Sequence, residues 1–124
     1  LLGTDTAKLI ESPAEALKLS ERAYPNGVIV MKNTRTVISN GKNRYLNITG
    51  NHGLATGGSG DVLCGMILAF MGQAASPLEA AACAVYLQGR CADSLGKVIA
   101  LRSILPRDII DQIPKELIVL EKEI

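Results

Sequence analysis

Residues 51–70 read NHGLATGGSGDVLCGMILAF. Gly53, Gly57, Gly58 and Gly60 fall within eight positions, a single carboxylate, Asp61, follows, and a long apolar run begins at Val62. The first N–H groups of a helix have no intrahelical partner, and the macrodipole adds partial positive charge at that end. Glycines ahead of the helix let several N–H groups turn toward one point with no Cβ in the way. The chemistry this suits is anion binding, phosphate above all; a merely tight turn is the plainer reading. Asp61 divides the same way. Near a helix start it can be a favourable charge of about 0.3–1 kcal/mol. Beside a bound phosphate it repels its neighbour, and general-base work on a hydroxyl next to a transferring phosphoryl group would offset that cost.

Two common phosphate motifs are excluded. No Gly-Lys-Ser/Thr follows the glycines, so the loop is not a Walker motif. Gly58-Ser59-Gly60 lacks a third glycine at the dinucleotide spacing, and no buried strand runs directly into it.

The elements that must position this loop are legible in outline. Ser12-Pro13-Ala14-Glu15 has the form of a capping box with Pro at the first helical position, and predicts a helix to about Ala23. Val28-Ile29-Val30-Met31 is a β-branched run of the kind buried on both faces of a sheet. Thr36 to Ser39 and Tyr45 to Ile48 flank Asn40-Gly41-Lys42-Asn43, which predicts a hairpin and a change from parallel to antiparallel pairing. A helix is expected over Val62–Met71. Ser76-Pro77-Leu78-Glu79 repeats the capping box and opens a long helix with an apolar face of Ala81, Ala82, Val85, Tyr86, Gly89 and Ala92, ending near Gly96. A short helix, Pro106 to Ile113, is expected to stop at Pro114, and residues 115–124 carry no clear pattern.

Composition narrows the function classes. The 124 residues are 48% hydrophobic, enough for a core, and 13 basic residues nearly balance 12 acidic ones. No basic stripe points to nucleic acid, and no apolar run is long enough to cross a membrane. Cys64, Cys83 and Cys91 lack paired CxxC spacing and read as reduced core thiols of a cytoplasmic protein. With a single histidine, His52, and no spaced carboxylate pair in the central span, no metal site is expected.

The run from Thr49 to Leu63, TGNHGLATGGSGDVL, closely resembles the signature of the ADP-dependent NAD(P)H-hydrate dehydratases, whose pattern reads approximately TGNPGMATGGMGDVLTG. Gly27–Lys32 (GVIVMK) is similar to that family's strand ending in Lys-Gly, Ala84–Gly89 (AVYLQG) to its VYLHG helix, and Asp108–Pro114 (DIIDQIP) to its C-terminal helix. The resemblance implies an α/β, ribokinase-like fold with a central, mainly parallel sheet flanked by helices. Residues 1–124 would be the C-terminal portion of one such domain, with a β-hairpin and a glycine-loop anion hole. A substrate-contacting histidine of the family lies in a segment upstream of a Leu-Leu-Gly like Leu1–Gly3, and His52 is not its counterpart; it stands where the family has proline and reads as a loop residue without chemistry.

The same resemblance implies an activity. ADP, or ATP, would give a phosphoryl group to the hydroxyl of hydrated NADH or NADPH, and elimination of phosphate would restore the reduced nucleotide, leaving AMP. Asp61 would be the base and would touch the substrate. Thr56, Gly57, Gly58, Ser59 and Gly60 would hold the moving phosphate. Lys32, Asn33, Thr34, Arg35 and Thr36 match the family's nucleotide-contacting turn, although Asn33 replaces the usual glycine, and a lysine at a strand end is commonly just a solvated charge. Asn51 would contact substrate or fix the loop through its amide. A magnesium ion on the phosphates is compatible with the resemblance, and a tetrameric homo-oligomer is implied by it. Two rivals stay open: an ATP-dependent kinase of a vitamin-like alcohol on the same fold, and a structural or nucleotide-binding piece without activity. A sheet cut from its other half predicts poor stability of these 124 residues alone, or association.

Overall fold

The computed structural model describes residues 12–73 and 75–124. The chain divides into two compact units, Leu1–Leu46 and Asn47–Ile124.

In the first unit, helix α1 (Pro13–Ala23) begins with Pro at its first turn and buries Ala16, Leu17 and Ser20, one face at helical spacing. The expected capping box does not form. Ser12 has φ −135° and ψ 82°, away from the extended geometry a cap needs, and its side chain makes no cap bond. Glu15 pairs instead with Lys18 at 3.5 Å. Strands β1 (Ile29–Met31), β2 (Val37–Ser39) and β3 (Arg44–Leu46) form a sheet in that order, and both pairings are antiparallel.

The Asn40-Gly41 hairpin is present. Ser39 pairs with Arg44, Gly41 takes φ +83°, and the Asn40 side chain accepts the N–H groups of Lys42 and Asn43 at 3.0 and 2.7 Å. Among the described residues there is no parallel pairing, and β1, expected to be buried on both faces, is half-buried along its length. The buried strand residues are Ile38 and Ser39 on β2, the middle strand.

One ion pair ties helix to hairpin. Arg44 grips Glu21 with two bonds of 2.9 and 2.6 Å, and the Ser39 hydroxyl donates to the same carboxylate. The Arg44 guanidinium, with help from Ser39, pulls the Glu21 pKa from 4.5 to about 2. A carboxyl with a lowered folded-state pKa contributes stability that is complete above its unfolded value and lost as pH falls toward its folded one. The hairpin should therefore loosen between pH 4.5 and about pH 2. Glu21→Gln should remove that acid-side step from a pH titration followed by circular dichroism.

The second unit is helical. It holds helix α2 (Ser59–Gly72), helix α3 (Pro77–Leu95) and helix α4 (Pro106–Glu123); a 3-10 turn at His52–Leu54 precedes α2, and another at Leu101–Ser103 lies between α3 and α4. Both α2 and α4 pack on α3. That flanking widens the buried arc of α3 beyond one stripe. Ala81, Val85, Gly89 and Ala92 are buried as expected, Ala82 is only half-buried, Tyr86 is exposed, and Leu78, Ala80, Ala84, Leu87, Gln88 and Cys91 join the core.

Cys64 and Cys83 correct the core-thiol expectation: both are exposed and only Cys91 is buried. Cys64 lies about 100° or more round α2 from each of the buried Ser59, Leu63 and Met66. Cys83 falls on the outer edge of α3 with Glu79 and Tyr86. Burial pushes the Cys91 thiol up to about 12, so it stays protonated at neutral pH.

Helix α4 runs ten residues past its expected end, through Pro114. Pro114 is exposed, and the carbonyl it leaves without a donor belongs to Ile110, whose side chain is 52% exposed, where water can reach. Beyond it, Glu116 is buried against α3, taking bonds from Arg90 at 3.2 Å, from Gln112 at 3.2 Å and from the Ser94 hydroxyl. Burial alone would raise the Glu116 pKa; the three donors outweigh it and hold the group below the ordinary carboxylate value. Arg90 also reaches Glu123 at 3.2 Å.

Candidate active site: the glycine loop and Asp61

Helix α2 starts three residues before the expected Val62, so the end of the glycine run is itself the first turn of the helix. Gly58 is the N-cap at φ +93° and ψ −15°, a left-handed geometry open to glycine. A Cβ there would also lie 3.1 Å from Pro106 at the start of α4. The first full helical bond runs from the Val62 N–H to the Gly58 carbonyl at 3.1 Å, and the Ser59 N–H reaches the Thr56 carbonyl at 3.3 Å. The N–H groups of Gly57, Gly58, Gly60 and Asp61 donate to no acceptor among the described residues. Gly57 is exposed, and a Cβ on it would meet nothing within 4 Å.

Four helices carry an acid at the third helical position, and their carboxylates do different things. Glu79 accepts the Ser76 N–H at 3.1 Å and closes a capping box. Asp108 accepts the Leu105 N–H at 2.8 Å. Glu15 pairs with Lys18. Asp61 is exposed and makes no hydrogen bond or ion pair among the described residues. The Gly58 N–H that it would cap has no partner among them either. Both a donor set and a carboxylate are thus available to a ligand at one helix end.

The remaining loop residues divide into those that bind the loop down and those that are free. Ser59 is buried; its hydroxyl donates to the Leu54 carbonyl at 2.7 Å, and its own carbonyl accepts from Gln88 at 2.8 Å. Thr56 and Gly60 are half-buried. Asn51 uses its whole amide to tie the loop to α3: its Oδ1 accepts the Gly53 N–H at 2.9 Å within the loop, and its Nδ2 donates to the Ala92 carbonyl at 2.8 Å and to Asp93 at 3.2 Å on the helix. The loop-fixing reading of Asn51 is the one this geometry supports. His52 is exposed in its 3-10 turn.

Sequence reasoning missed the seat of the loop. Gly89 and Gly96 lie seven positions apart on α3 and its C-cap; Thr49, at the head of the loop, fills the space at Gly89, and Leu101 of the second 3-10 turn fills it at Gly96, with the Asn51 amide nitrogen 3.3 Å from a Cβ there. A Cβ on Gly89 would lie 2.1 Å from the Thr49 hydroxyl oxygen and 2.6 Å from the Thr49 backbone carbon; on Gly96 it would lie 2.7 Å from Leu101. Gly53 is equally closed, with Ile104 at 2.5 Å. The signal available was the small-residue spacing 89, 92 and 96 beside a lone acid, Asp93.

Lys32 to Thr36 lie in the first unit, between β1 and β2. Lys32, Asn33, Thr34 and Arg35 are exposed, and the Asn33 side chain accepts the Thr34 N–H at 2.8 Å, shaping a tight turn. The structure brings Asn51 and Thr56 to Asp61 together in the second unit.

A family model described as NAD(P)H-hydrate dehydratase matches residues 2–115. The bifunctional NAD(P)H-hydrate repair enzyme of Moorella thermoacetica is 39% identical over 125 residues; the match covers 100% of this chain and 23% of that protein. The crystal structure of the ADP/ATP-dependent NAD(P)H-hydrate dehydratase from Bacillus subtilis, co-crystallized with ATP/Mg2+ and soaked with CoA, superposes with a TM-score of 0.83 and 35% identity, over 91% of this chain and 42% of that one. A ribokinase-like superfamily protein from Enterococcus faecalis superposes with a TM-score of 0.67 and 34% identity, over 81% of this chain and 35% of its own. The chain thus spans between 23% and 42% of the length of these relatives. The fold is ribokinase-like, a partial α/β domain, and the chain belongs to the NAD(P)H-hydrate dehydratase family.

Proposed function

We propose that the glycine loop and Asp61 are the phosphoryl-transfer centre of an ADP-dependent NAD(P)H-hydrate dehydratase. The observation that carries the reading is the Asp61 carboxylate, free among the described residues, beside the N–H groups of Gly57, Gly58, Gly60 and Asp61, which have no partner among them either. In this reading the hydroxyl of the hydrated nicotinamide attacks the terminal phosphorus of ADP. Asp61 takes the hydroxyl proton as the new O–P bond forms, and the bond to AMP breaks. The loop N–H groups carry the charge on the moving phosphate. Phosphate then leaves with its oxygen, a neighbouring ring proton departs, and the double bond returns. Thr56 adds a hydroxyl to the phosphate side, and Lys32 to Thr36 meet the nucleotide. Asn51 serves by holding the loop.

Among the described residues no group of three or more His, Cys, Asp or Glu could hold a metal ion. Among the described residues no helix is long and apolar enough to cross a membrane. A cytoplasmic setting suits the free cysteines. Assembly into a homo-oligomer, tetrameric, is what the family resemblance implies.

The direct test is to incubate the protein with hydrated NADH and ADP. The absorbance of reduced nicotinamide should return, with AMP and phosphate released in equal amounts. No recovery with ADP or ATP, together with phosphorylation of a vitamin-like alcohol, would overturn the reading. Gly57→Ala tests the loop itself. Its Cβ has open space and its φ lies outside the left-handed region, so the fold should tolerate it. A methyl group where phosphate must approach should weaken ADP about tenfold by calorimetry, with an unchanged melting temperature.

A further inference from the structure

We propose that Asp93 is a positioning residue for the phosphate loop, acting through Gly50 and Asn51; the inference rests on the reading of that loop as the phosphate site. Asp93 is half-buried near the end of α3. Its Oδ2 accepts the Gly50 N–H at 2.9 Å, and its Oδ1 accepts the Asn51 Nδ2 at 3.2 Å. Two donors meet one side chain there. An ionised carboxylate accepts at both oxygens, whereas an amide offers one acceptor and one donor.

The bond to Asn51 passes the position on. With Nδ2 held by Asp93 and the Ala92 carbonyl, Oδ1 is aimed at the Gly53 N–H. Gly50 has φ +104°, so the chain turns sharply at the point where Asp93 holds it. The other end of the loop is tied to the same helix, since Gln88 donates to the carbonyl of Ser59, the first residue of α2. Gln88 is buried and is five positions from Asp93 on α3. One rigid helix therefore sets both ends of the segment from Gly50 to Ser59. Catalysis by positioned N–H groups is sensitive to such placement, because a shift of about 1 Å can cost about a hundredfold in rate.

Asp93→Asn is the test, since it keeps the shape and presents an NH2 group to one of the two donors. AMP is the control ligand because it lacks the transferring phosphate. Asp93→Asn should lower kcat/KM for ADP about a hundredfold and leave AMP affinity within about twofold of wild type. Retained AMP binding reports an intact fold; Asp93→Ala should repeat the pattern with a larger loss for ADP. Three results would overturn the inference. If ADP kinetics are unchanged in Asp93→Asn while Gly57→Ala weakens ADP, Asp93 has no positioning role and the phosphate loop stands. If ADP and AMP weaken equally, Asp93 is merely structural. If Gly57→Ala leaves ADP binding untouched, the phosphate-loop reading fails, and this inference fails with it.

Discussion

Asp61→Asn should turn over hydrated NADH about 10²–10⁴-fold more slowly than wild type while binding ADP at least as tightly. The two effects have one cause. In the proposed reaction the carboxylate takes a proton during attack on phosphorus, and an amide cannot take it. The same negative charge repels the phosphate of ADP in the ground state, so its removal leaves binding equal or stronger. Stability should hardly change, because Asp61 is exposed and forms no cap or ion pair among the described residues. Steady-state kinetics with hydrated NADH, calorimetry with ADP and a melting curve separate these three readouts. Turnover retained in Asp61→Asn would remove Asp61 from the base role. Lost ADP binding would place it in nucleotide recognition instead.

Gly89→Ala should destabilise the protein by about 1–3 kcal/mol, as overpacking does, and should lower activity as well. In a free helix the substitution would help by about 0.5–1 kcal/mol. Here the new Cβ would lie 2.1 Å from the Thr49 Oγ1 and 2.6 Å from the Thr49 backbone carbon. The hydroxyl cannot swing aside without cost, since it donates to the Tyr86 carbonyl at 2.9 Å and bonds Asn47 at 3.1 Å. The backbone carbon has no alternative rotamer. Thr49 must therefore move, and Gly50 and Asn51 move with it. Gly65→Ala is the matched control: it is exposed within α2, and its Cβ would meet nothing within 4 Å. It should stabilise by about 0.5–1 kcal/mol. Urea denaturation of both variants checks the opposite signs. A Gly89→Ala protein as stable as wild type would show that the seat of the loop can yield.

Local signals were read well where neighbours in sequence supply the whole interaction. Ser76 and Glu79 close their capping box within one turn, and Asn40-Gly41 turns the hairpin with its own side chain and a positive φ. The same four-residue signal at Ser12 fails, because the backbone enters α1 at a different angle and Glu15 has Lys18 as a nearer partner. Spacing alone cannot tell these apart. Pro114 misled for a related reason. A proline stops a helix when the bond it removes is the last support, but α4 is held beyond it by Glu116, whose partners Arg90 and Ser94 lie 26 and 22 residues away.

The sequence by itself determined the chemistry on offer. Glycines at 57, 58 and 60 ahead of an apolar run suit a helix start to an anion, and one acid beside them suggests a base, because both follow from backbone donors and charge over a few residues. Tertiary structure decided which of those groups are free to act. The third-position acids look alike in sequence, yet Glu79 and Asp108 are used as caps, Glu15 pairs with Lys18, and Asp61 is left unpaired among the described residues. Structure also decided that the loop rests on Gly89, Gly96 and Asp93, some forty residues on in the chain. Close packing and hydrogen bonds over such separations depend on which helix faces meet, and helix faces are matched only when the chain folds.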